Sequence, residues 1–472
     1  MPDACGLKAA SAQLNCAFPA FVLICLIAVA RRVKAIGRWC SHRGLFISTG
    51  YRLQVVGVME QGSTQEREDG ESVSDRLGAR QLRIVATLGF CGLVSAADNW
   101  FVSPALPAIA QTLAVAPAAA AVVLTAYLVP YGALQPVCGA LGDTVGRLRL
   151  LRIIVLGLCV GTLLCAAVPS LPALVLARIL TGCFAAGIIS VSQAFVGDVV
   201  GQRNRAGAVG ILMGITFTGQ GLSAGLGGIL TDAVGWRAAF VSFGLLAALA
   251  WLLLFTLREP APRHRDGIEA AAHAGVRERP VLGFMWAALR LFFGPHRAVF
   301  LLACTTGVLF LGVYGLMGTF LNEVCGLSST QSGLVMMMYG VFCLVGGACS
   351  GALGARKGLP GVIAVGEASG IAAAVLLAAS AVTASWVPAL GAAGCLGLGY
   401  ILVQPTLVTL SMDADPDQAG LCTGLIGFGV FVGGGIGSAV GSMVLAAGGY
   451  PVLWGVAALA LLAQRLVSSR VL

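Results

Sequence analysis

The sequence predicts an all-α polytopic membrane protein, with twelve transmembrane helices arranged as two six-helix bundles around a central cavity. Three observations predict it: long apolar segments, basic residues confined to alternate loops, and a repeat between the two halves. Hydrophobic residues make up 58% of the 472 residues and charged residues only 10%, and the mean hydropathy is +0.92. Soluble domains typically carry about 25% charged residues, so these charges are too few to cover a water-soluble globule.

The apolar segments have the length of membrane-spanning helices. In lipid every backbone polar group needs an internal partner, which leaves helices or closed barrels. Barrel strands alternate apolar and polar residues over about ten positions, whereas this chain has unbroken apolar runs of about 20 residues, enough for a helix to cross a hydrocarbon core of about 30 Å. The predicted spans lie near 83–104, 119–138, 151–168, 172–197, 207–230, 237–257, 298–321, 333–354, 360–381, 387–411, 418–445 and 450–464.

The basic residues predict the orientation of these helices. They concentrate in the loops that follow even-numbered helices and at the C-terminus, whereas the opposite set of loops contains one, Arg237. Because cytoplasmic loops carry an excess of Lys and Arg, we expect the first set and the C-terminus to face the cytoplasm, in the cell inner membrane. That set includes Arg147, Arg149, Arg152, Arg203, Arg205, Arg258, Arg263, Arg265, Arg277, Arg279, Arg290, Arg297, Arg356, Lys357, Arg465 and Arg470.

The chain divides into five predicted segments. A polar, proline-containing cytoplasmic linker, 258–297, separates an N-terminal bundle, 83–257, from a C-terminal bundle, 298–472. Residues 59–82 have the composition of a disordered tail and form the predicted cytoplasmic N-terminus. Residues 1–58 contain a short apolar run. Positive charges follow this run, whereas in a secretory signal they precede it. We hypothesise that translation starts at the methionine that opens the tail and that 1–58 reflect an over-extended gene prediction; the alternative is an additional N-terminal helix.

Two glycine patterns recur at one spacing in the two bundles. The segment after helix 2 begins at Gly139, and a related segment after helix 8 begins at Gly351, 212 positions later. Gly221 in helix 5 and Gly433 in helix 11 have the same spacing. The repeat predicts parallel halves related by an axis along the membrane normal, which is a transporter architecture.

Helices 5 and 11 also carry glycines near every fourth position, which lets helix backbones approach closely. Two interpretations stay open. The glycines allow tight static packing, or they form smooth faces on which the helices rock during alternating access. These glycines are Gly221, Gly225, Gly228, Gly429, Gly433, Gly437 and Gly441.

The loop after helix 2 resembles the loop between helices 2 and 3 of the major facilitator superfamily. Its glycines allow a tight turn, and the resemblance implies a conformational latch in which the aspartate pairs with arginines across helix ends. Thr144 and Leu148 stand where a basic residue is usual. The residues that carry the resemblance are Gly139, Asp143, Gly146, Arg147 and Arg149.

Three further segments resemble the drug:proton antiporters of that superfamily. Asp98 and the Pro-Ala-Leu-Pro run that follows it resemble helix 1 of those carriers. Arg178 and the Ile-Leu-Thr-Gly after it are similar to a helix 4 motif implicated there in proton coupling. The segment 219–228 resembles the helix 5 antiporter motif, although Ser-Ala replaces its Gly-Pro. The resemblance covers Leu82 to the C-terminus and implies the twelve-helix multidrug efflux branch.

Ionisable side chains inside membrane spans are costly and mark ion, proton or substrate pathways. Asp98 lies about two thirds of the way along helix 1 and Arg178 in the outer half of helix 4, so we predict that they pair and that Arg178 faces the cavity. Protonation of Asp98 would then loosen the pair and couple protons to substrate movement. The alternative for Asp98 is a local polar contact at the outer interface. Glu367 in helix 9 is interpreted as an ordinary polar residue near the cytoplasmic interface.

Neutral polar and aromatic residues within the spans are candidates for the substrate cavity. Apolar pockets with a few hydrogen-bonding groups suit small organic molecules. The alternative for each residue is packing or interfacial anchoring. The candidates are Trp100, Tyr127, Gln135, Gln193, Gln220, Tyr314, Tyr339 and Gln404.

The sequence therefore predicts a secondary active transporter that exports small organic or drug-like molecules by proton antiport, and not an enzyme. Because the helix 5 motif is altered, a proton symporter or uniporter that imports a metabolite is an alternative, as is a non-transporting receptor of the same fold. A GxxxxGK[ST] phosphate loop is absent, the four histidines lie outside the spans, and the fifteen cysteines form no CxxC pair. We expect no cofactor, metal or nucleic acid, and a monomer whose partners are lipid, a small organic substrate and protons.

Overall fold

The computed structural model describes residues 78–200, 202–258, 288–414 and 419–472. The segment 1–58, nearly all of the predicted tail and most of the predicted linker lie outside these ranges. The hypotheses about them therefore stay predictions.

Within the described ranges 78–200 and 202–258, the N-terminal half contains six long helices, and three of them are interrupted. Helix α1 bends by 42° at Phe101. Pro104 has no N–H to donate to the carbonyl of Trp100 one turn earlier, which accounts for the bend. The six are α1 (Ala79–Trp100, continued by Val102–Leu113), α2 (Pro117–Ala120, continued by Val122–Val145), α3 (Arg147–Ala167), α4 (Leu171–Ala185, continued by Ile188–Val199), α5 (Gln202–Val234) and α6 (Trp236–Leu253).

Within the described ranges 288–414 and 419–472, the C-terminal half also contains six long helices. Two pairs of consecutive helices are continuous except for one break within each pair. The breaks lie at Gly358 and Gly449, whose φ angles are +69° and +74°. The six are α7 (Arg297–Thr306, continued through Gly307–Leu311 to Gly312–Glu323), α8 and α9 (Ser329–Thr383, divided at Gly358), α10 (Trp386–Ala414), and α11 and α12 (Ala419–Val471, divided at Gly449).

These helices correspond to the twelve predicted spans. Among the described residues, nine helical stretches are long and apolar enough to cross a membrane, or ten with the bent α1. One of these stretches, Leu421–Val471, contains both α11 and α12. The 33 residues of α5, Gln202–Val234, complete the set. The all-α, two-bundle fold class is confirmed.

The backbone confirms the repeat at the turns after α2 and α8. Gly146 has φ of +98° and Gly358 has φ of +69°, so both turns use the left-handed region that glycine adopts without strain. These glycines are 212 positions apart, as the sequence predicts. Ser103 and Gly315, separated by the same 212 positions, meet each other, with the Ser103 hydroxyl donating to the Gly315 carbonyl at 2.8 Å.

The spacing inferred for helices 5 and 11 is wrong by two residues. The left-handed glycines that end α5 and α11, Gly235 and Gly449, are 214 apart (449 − 235 = 214). Gly433 packs on Cys304 in α7, the first helix of its half. The residue of α5 that packs on the first helix of its own half in this way is Gly219, again 214 positions earlier, and not Gly221. The match between Gly221 and Gly433 therefore reflects the abundance of glycine.

The two glycine stripes consequently face different neighbours. In α5, a Cβ at Gly221 would lie 2.7 Å from the Cα of Gly340 in α8, so this stripe packs across the boundary between the halves. In α11, Gly437 packs on the backbone of Val308 within its own half. We call the contacts of α1, α2 and α5 with α7, α8 and α11 the seam between the halves.

Candidate functional site

Asp98 and Arg178 form a buried ion pair inside the N-terminal half. The Arg178 Nη1 lies 2.7 Å from Asp98 Oδ2, and its Nη2 donates to the Asp98 carbonyl at 3.3 Å. Thr162 in α3 donates its hydroxyl to Asp98 Oδ1 at 2.8 Å. The two charged side chains are 1% and 0% exposed, so each depends on the other for compensation of its charge. The predicted contact is present, and its role in proton coupling stays a prediction.

Tyr127 in α2 connects this pair to the space between the halves. Its ring lies 4.2 Å from the Arg178 guanidinium carbon, and Phe240 lies on another side at 5.7 Å. The same tyrosine lines the cavity described below. Arg178 itself does not, so the expectation that Arg178 faces the cavity is wrong. It lies one layer of side chains behind the wall, because its charge is satisfied by Asp98 and by aromatic rings.

A cavity of about 10 Å³, with room for about one water molecule, lies between the two halves. Three of the eight predicted cavity residues, Trp100, Tyr127 and Gln220, line it. Ligand pockets in proteins typically measure about 300–1,000 Å³, so in this conformation the cavity is far too small for an organic molecule. Its lining consists of Ser95, Ala96, Asn99, Trp100, Tyr127, Tyr131, Ile189, Gln220 and Phe431.

The other five predicted cavity residues lie outside this lining. Gln135 packs against Gly427 of α11 in the seam. Gln193 directs its amide nitrogen to the sulfur of Met213 at 3.0 Å. Gln404 is half-buried in α10.

Tyr314 and Tyr339 continue the aromatic wall of the cavity into the C-terminal half. The rings of Trp100 and Tyr314 are 4.9 Å apart, and those of Tyr314 and Tyr339 are 4.2 Å apart. Tyr314 donates its hydroxyl to the carbonyl of Met336 at 3.1 Å. These two tyrosines therefore pack behind Trp100 rather than face the open space.

The predicted latch surrounds the turn after α2. Arg147 donates to Asp198 at the end of α4 and to the carbonyl of Ala194. Arg149 is exposed. Gly139 and Asp143 belong to α2, and the side chain of Asp143 lies outside the described part of the structure. Asp198 is the partner that sequence reasoning missed, since nothing in its local pattern separates it from a surface aspartate.

Sequence reasoning also missed Asp232, near the end of α5. Its two carboxylate oxygens accept the backbone N–H groups of Ser329 at 3.2 Å and Thr330 at 2.6 Å, in the first turn of α8. The N–H groups that begin a helix have no partner within it, and an anion there is favoured by the helix dipole. Asp232 therefore ties α5 to α8 across the seam. Its only sequence signal is an acidic residue next to a predicted span.

Glu367 in α9 is fully buried, so it is not an ordinary polar residue at the protein surface, and its position near the cytoplasmic interface stays a prediction. Ser468 donates to one carboxylate oxygen at 2.6 Å, and Gln464 donates to the other at 3.3 Å. The guanidinium of Arg465 is 3.9 Å away and partly exposed. Glu367 is thus held mainly by neutral groups of α12.

The comparisons with known proteins agree with this architecture. Residues 88–438 match the family described as Major Facilitator Superfamily. The tetracenomycin C resistance and export protein of Streptomyces glaucescens is 27% identical over 402 residues, which cover 75% of this chain and 74% of that protein. The multidrug resistance protein fnx1 of Schizosaccharomyces pombe is 32% identical over 182 residues, which cover only 38% of this chain and 34% of that protein. The crystal structure of the human organic anion transporter MFSD10 (TETRAN) has a TM-score of 0.61 and 18% identity, and covers 83% of this chain and 100% of its own.

Proposed function

Because this chain belongs to the Major Facilitator Superfamily, and is therefore a multi-pass membrane transporter and not an enzyme, we propose that it exports small organic molecules in exchange for protons. The relatives named as a resistance and export protein and as a multidrug resistance protein support the direction. In this proposal Asp98 carries the proton, and the substrate binds between the halves, where the small cavity widens when the seam opens.

The observation that carries the proposal is the buried Asp98–Arg178 pair directly behind a cavity wall. A proton on Asp98 would remove the negative charge that compensates Arg178, which lies 4.2 Å from the ring of Tyr127. An uncompensated buried guanidinium is costly, so the side chains around it would rearrange. Since Tyr127 lines the cavity, proton binding and substrate binding would influence each other through this ring.

Alternating access requires that the two halves separate at the seam. The seam supports this, because its α5–α8 part includes close backbone contacts such as Gly221 on Gly340. The glycines Gly225 and Gly228 extend that face toward Met337 and Ser329. In α11, Gly429, Gly433, Gly437 and Gly441 instead favour rigid packing within the C-terminal half.

The basic loops favour an inner-membrane protein with a cytoplasmic C-terminus, and we propose a monomer with two bundles, 83–257 and 298–472, joined by a linker. In that orientation the turn after α2 is cytoplasmic, and the Arg147–Asp198 contact belongs to a latch on that side. The proposed latch residues are Gly139, Asp143, Gly146, Arg147 and Arg149.

The test is a resistance assay in an efflux-deficient bacterial host. Cells that express the wild-type protein are grown against a panel of toxic organic compounds, with and without a protonophore. Resistance that the protonophore abolishes is the expected result. Asp98→Asn should abolish it at equal expression. The matched control is Glu323→Gln, because the carboxylate of Glu323 accepts a hydrogen bond from Tyr450 at 2.6 Å in the other half, outside the cavity lining.

Two results would contradict the proposal. Full protonophore-sensitive efflux by Asp98→Asn would remove this carboxylate from the coupling mechanism. Protonophore-sensitive accumulation of a nutrient, in place of resistance, would reverse the direction and identify a symporter.

A further inference from the structure

The second buried carboxylate of the molecule, Glu367 in the C-terminal half, has surroundings that differ from those of Asp98. Asp98 is held by the Arg178 guanidinium at 2.7 Å, whereas the Arg465 guanidinium lies 3.9 Å from Glu367 and is 34% exposed. The Glu367 side chain itself is 0% exposed. A distant cation that water screens compensates a buried negative charge only weakly. Ionisation of Glu367 is therefore supported much less than that of Asp98.

The other groups at this carboxylate are hydrogen-bonding or apolar groups without charge. Ser468 donates to Oε2 at 2.6 Å and Gln464 donates to Oε1 at 3.3 Å. Arg465 is thus the one charged side chain that faces Glu367 among the described residues. The uncharged groups at or beside the carboxylate are Ser468 and Gln464 of α12, Thr306 of α7, which contacts Gln464, and Leu402 and Val403 of α10, which pack on the adjacent Gly366.

Ser468 can serve Glu367 in both of its protonation states. Its Oγ lies 2.6 Å from Glu367 Oε2 and 3.1 Å from the backbone carbonyl oxygen of Arg465, three residues earlier in α12. When Glu367 is ionised, the serine hydroxyl donates to the carboxylate. When Glu367 is protonated, its own O–H can donate to Ser468 Oγ, and the serine hydroxyl then turns to the carbonyl. Both states therefore leave each hydroxyl of this pair with an acceptor.

A crevice at the surface of the protein reaches Ser468. It measures about 250 Å³, which is room for several water molecules. Its wall is formed by α9 near its start, at 360–364, and by α12 near its end, where Arg465 and Ser468 both contribute. The hydroxyl that contacts the buried Glu367 therefore also borders this crevice.

The crevice lies at an end of the helices where charged residues are exposed. The residues that form its wall in α9 follow directly after the break at Gly358, and α12 ends at Val471. Lys357 and Arg470, next to these two points in the chain, are exposed. Lysine and arginine near the ends of membrane helices extend toward the interface and water. We therefore expect water, and not lipid tails, to fill the crevice.

We propose that Glu367 is a second proton-binding site, separate from Asp98, and that it exchanges its proton with water in this crevice through the hydroxyl of Ser468. On binding, a proton from the crevice water passes to Ser468 Oγ while the proton of that hydroxyl passes to Glu367 Oε2. The serine is regenerated, and the carboxylate becomes a neutral acid. The site goes beyond the proposed export function, because it lies in the C-terminal half, opens at the end of the helices and needs no substrate.

The test is infrared difference spectroscopy of the purified full-length protein in a detergent without ester groups. Spectra are compared between about pH 8 and about pH 5.5, a range in which ordinary carboxylates stay largely ionised. A protonated carboxyl group has a C=O stretching band that an ionised one lacks. We expect the wild-type protein to gain such a band at the lower pH and Glu367→Gln to lack it. Asp98→Asn should keep the band, which would assign it to the second site.

Serine variants test the route of the proton. After a rapid drop in pH, the band should appear about tenfold more slowly in Ser468→Ala, because the hydroxyl that joins the crevice to the carboxylate is lost. Ser468→Thr restores a hydroxyl and should recover most of the rate. Ser469→Ala is the matched control, since Ser469 lines the same crevice but donates to the carbonyl of Leu466, and it should behave as wild type.

The outcomes decide both parts of the inference. Identical difference spectra of the wild-type protein and Glu367→Gln would overturn it. Equal rates in Ser468→Ala and in the wild-type protein, or equal slowing by Ser468→Ala and Ser469→Ala, would overturn the route through the serine. If Glu367→Gln fails to fold, Ser468→Ala still assigns the band, because loss of this hydrogen bond raises the C=O stretching frequency of Glu367; an unshifted band would overturn the inference. The band in a protein that exports nothing would support the second site and contradict only the export function.

Discussion

The interior of the N-terminal half and the seam between the halves are held together by different chemistry. The interior contains a buried ion pair, Asp98 with Arg178, whose hydrogen-bond partner Thr162 belongs to the same half. The seam combines glycine and backbone contacts, such as Gly221 on Gly340, with aromatic contacts such as Trp100 on Tyr314, and contains no ion pair among the described residues.

This difference bears directly on how the molecule can move. Breaking a buried ion pair costs far more than separating two apolar backbone faces. Each half is therefore expected to move as a rigid body, with the seam as the surface that opens. Asp232 is the exception, because it places a carboxylate across the seam at the rim, where water can replace the contacts that it loses.

The largest expected effect comes from removing one member of the ion pair. Asp98→Asn leaves Arg178 buried without compensation, and we expect a loss of about 3–5 kcal/mol of unfolding free energy. Asp98→Asn combined with Arg178→Met removes both charges and should recover most of that loss, although not transport. The measurement is unfolding by SDS titration in mixed micelles.

Glu367→Gln is the control within the other half. Its carboxylate is held by neutral donors of Ser468 and Gln464, so we expect a loss of only about 1 kcal/mol. A cost for Asp98→Asn no greater than that for Glu367→Gln would show that the two buried carboxylates are equivalent, and the comparison between the interior and the seam would fail.

The second prediction concerns the seam itself. Gly221→Ala places a methyl group 2.7 Å from the Cα of Gly340, where backbone cannot give way easily. Overpacking costs about 1–3 kcal/mol. Because the added methyl group lies between α5 and α8, we expect it to destabilise the contact between these helices and to leave the folding of each half unchanged. We expect hydrogen exchange at the start of α8 to accelerate by about fivefold or more, while exchange within α3 stays unchanged.

Gly214→Ala is the matched control on the same helix. A Cβ at Gly214 meets no atom within 4 Å. It should be neutral or slightly stabilising, because alanine favours helix over glycine by about 1 kcal/mol. Equal acceleration by the two variants would attribute the effect to α5 itself and not to the seam.

The fold could be predicted from the sequence because its causes are local and repeated. Runs of bilayer length, arginines in alternate loops and the left-handed glycine at position 146 each act within about twenty residues. The pairing of Asp98 with Arg178 was also predictable, because a buried charge needs a partner and the spans offer few ionisable groups.

The candidate site was only partly predictable, because its lining depends on how helices rotate about their axes. Gln135 and Gln193 are as polar as Gln220, yet the rotation of α2 and α4 directs them to Gly427 and Met213. Asn99 also lines the cavity, but sequence reasoning selected its neighbour Asp98 because Asp98 is charged. Asp232 contacts Thr330 of α8, which lies 98 residues later in the chain. The residues around Asp232 give no sequence pattern that predicts this contact.

The smallest expected effect tests this carboxylate at the rim of the seam. Partial burial acts to raise the pKa of Asp232, but the hydrogen bonds from Thr330, Ser328 and Ser329 outweigh it and hold the pKa below its usual 3.8. The group is therefore charged at neutral pH, and its stabilisation of the contact between α5 and α8 is complete above that usual value. The stabilisation is lost only as the pH falls through the lowered pKa.

Asp232→Asn removes the charge and keeps one acceptor oxygen, so we expect it to weaken the contact by about 0.3–1 kcal/mol. Hydrogen exchange at Ser329 and Thr330 should then accelerate by up to about fivefold at pH 7. After correction for intrinsic rates, the protection of these amides should be constant from pH 5 to pH 8 in the wild-type protein. If protection instead decreases as the pH is lowered from 8 to 5, the contact depends on a group whose pKa is higher than that of Asp232. The rim of the seam would then respond to protons between pH 5 and pH 8.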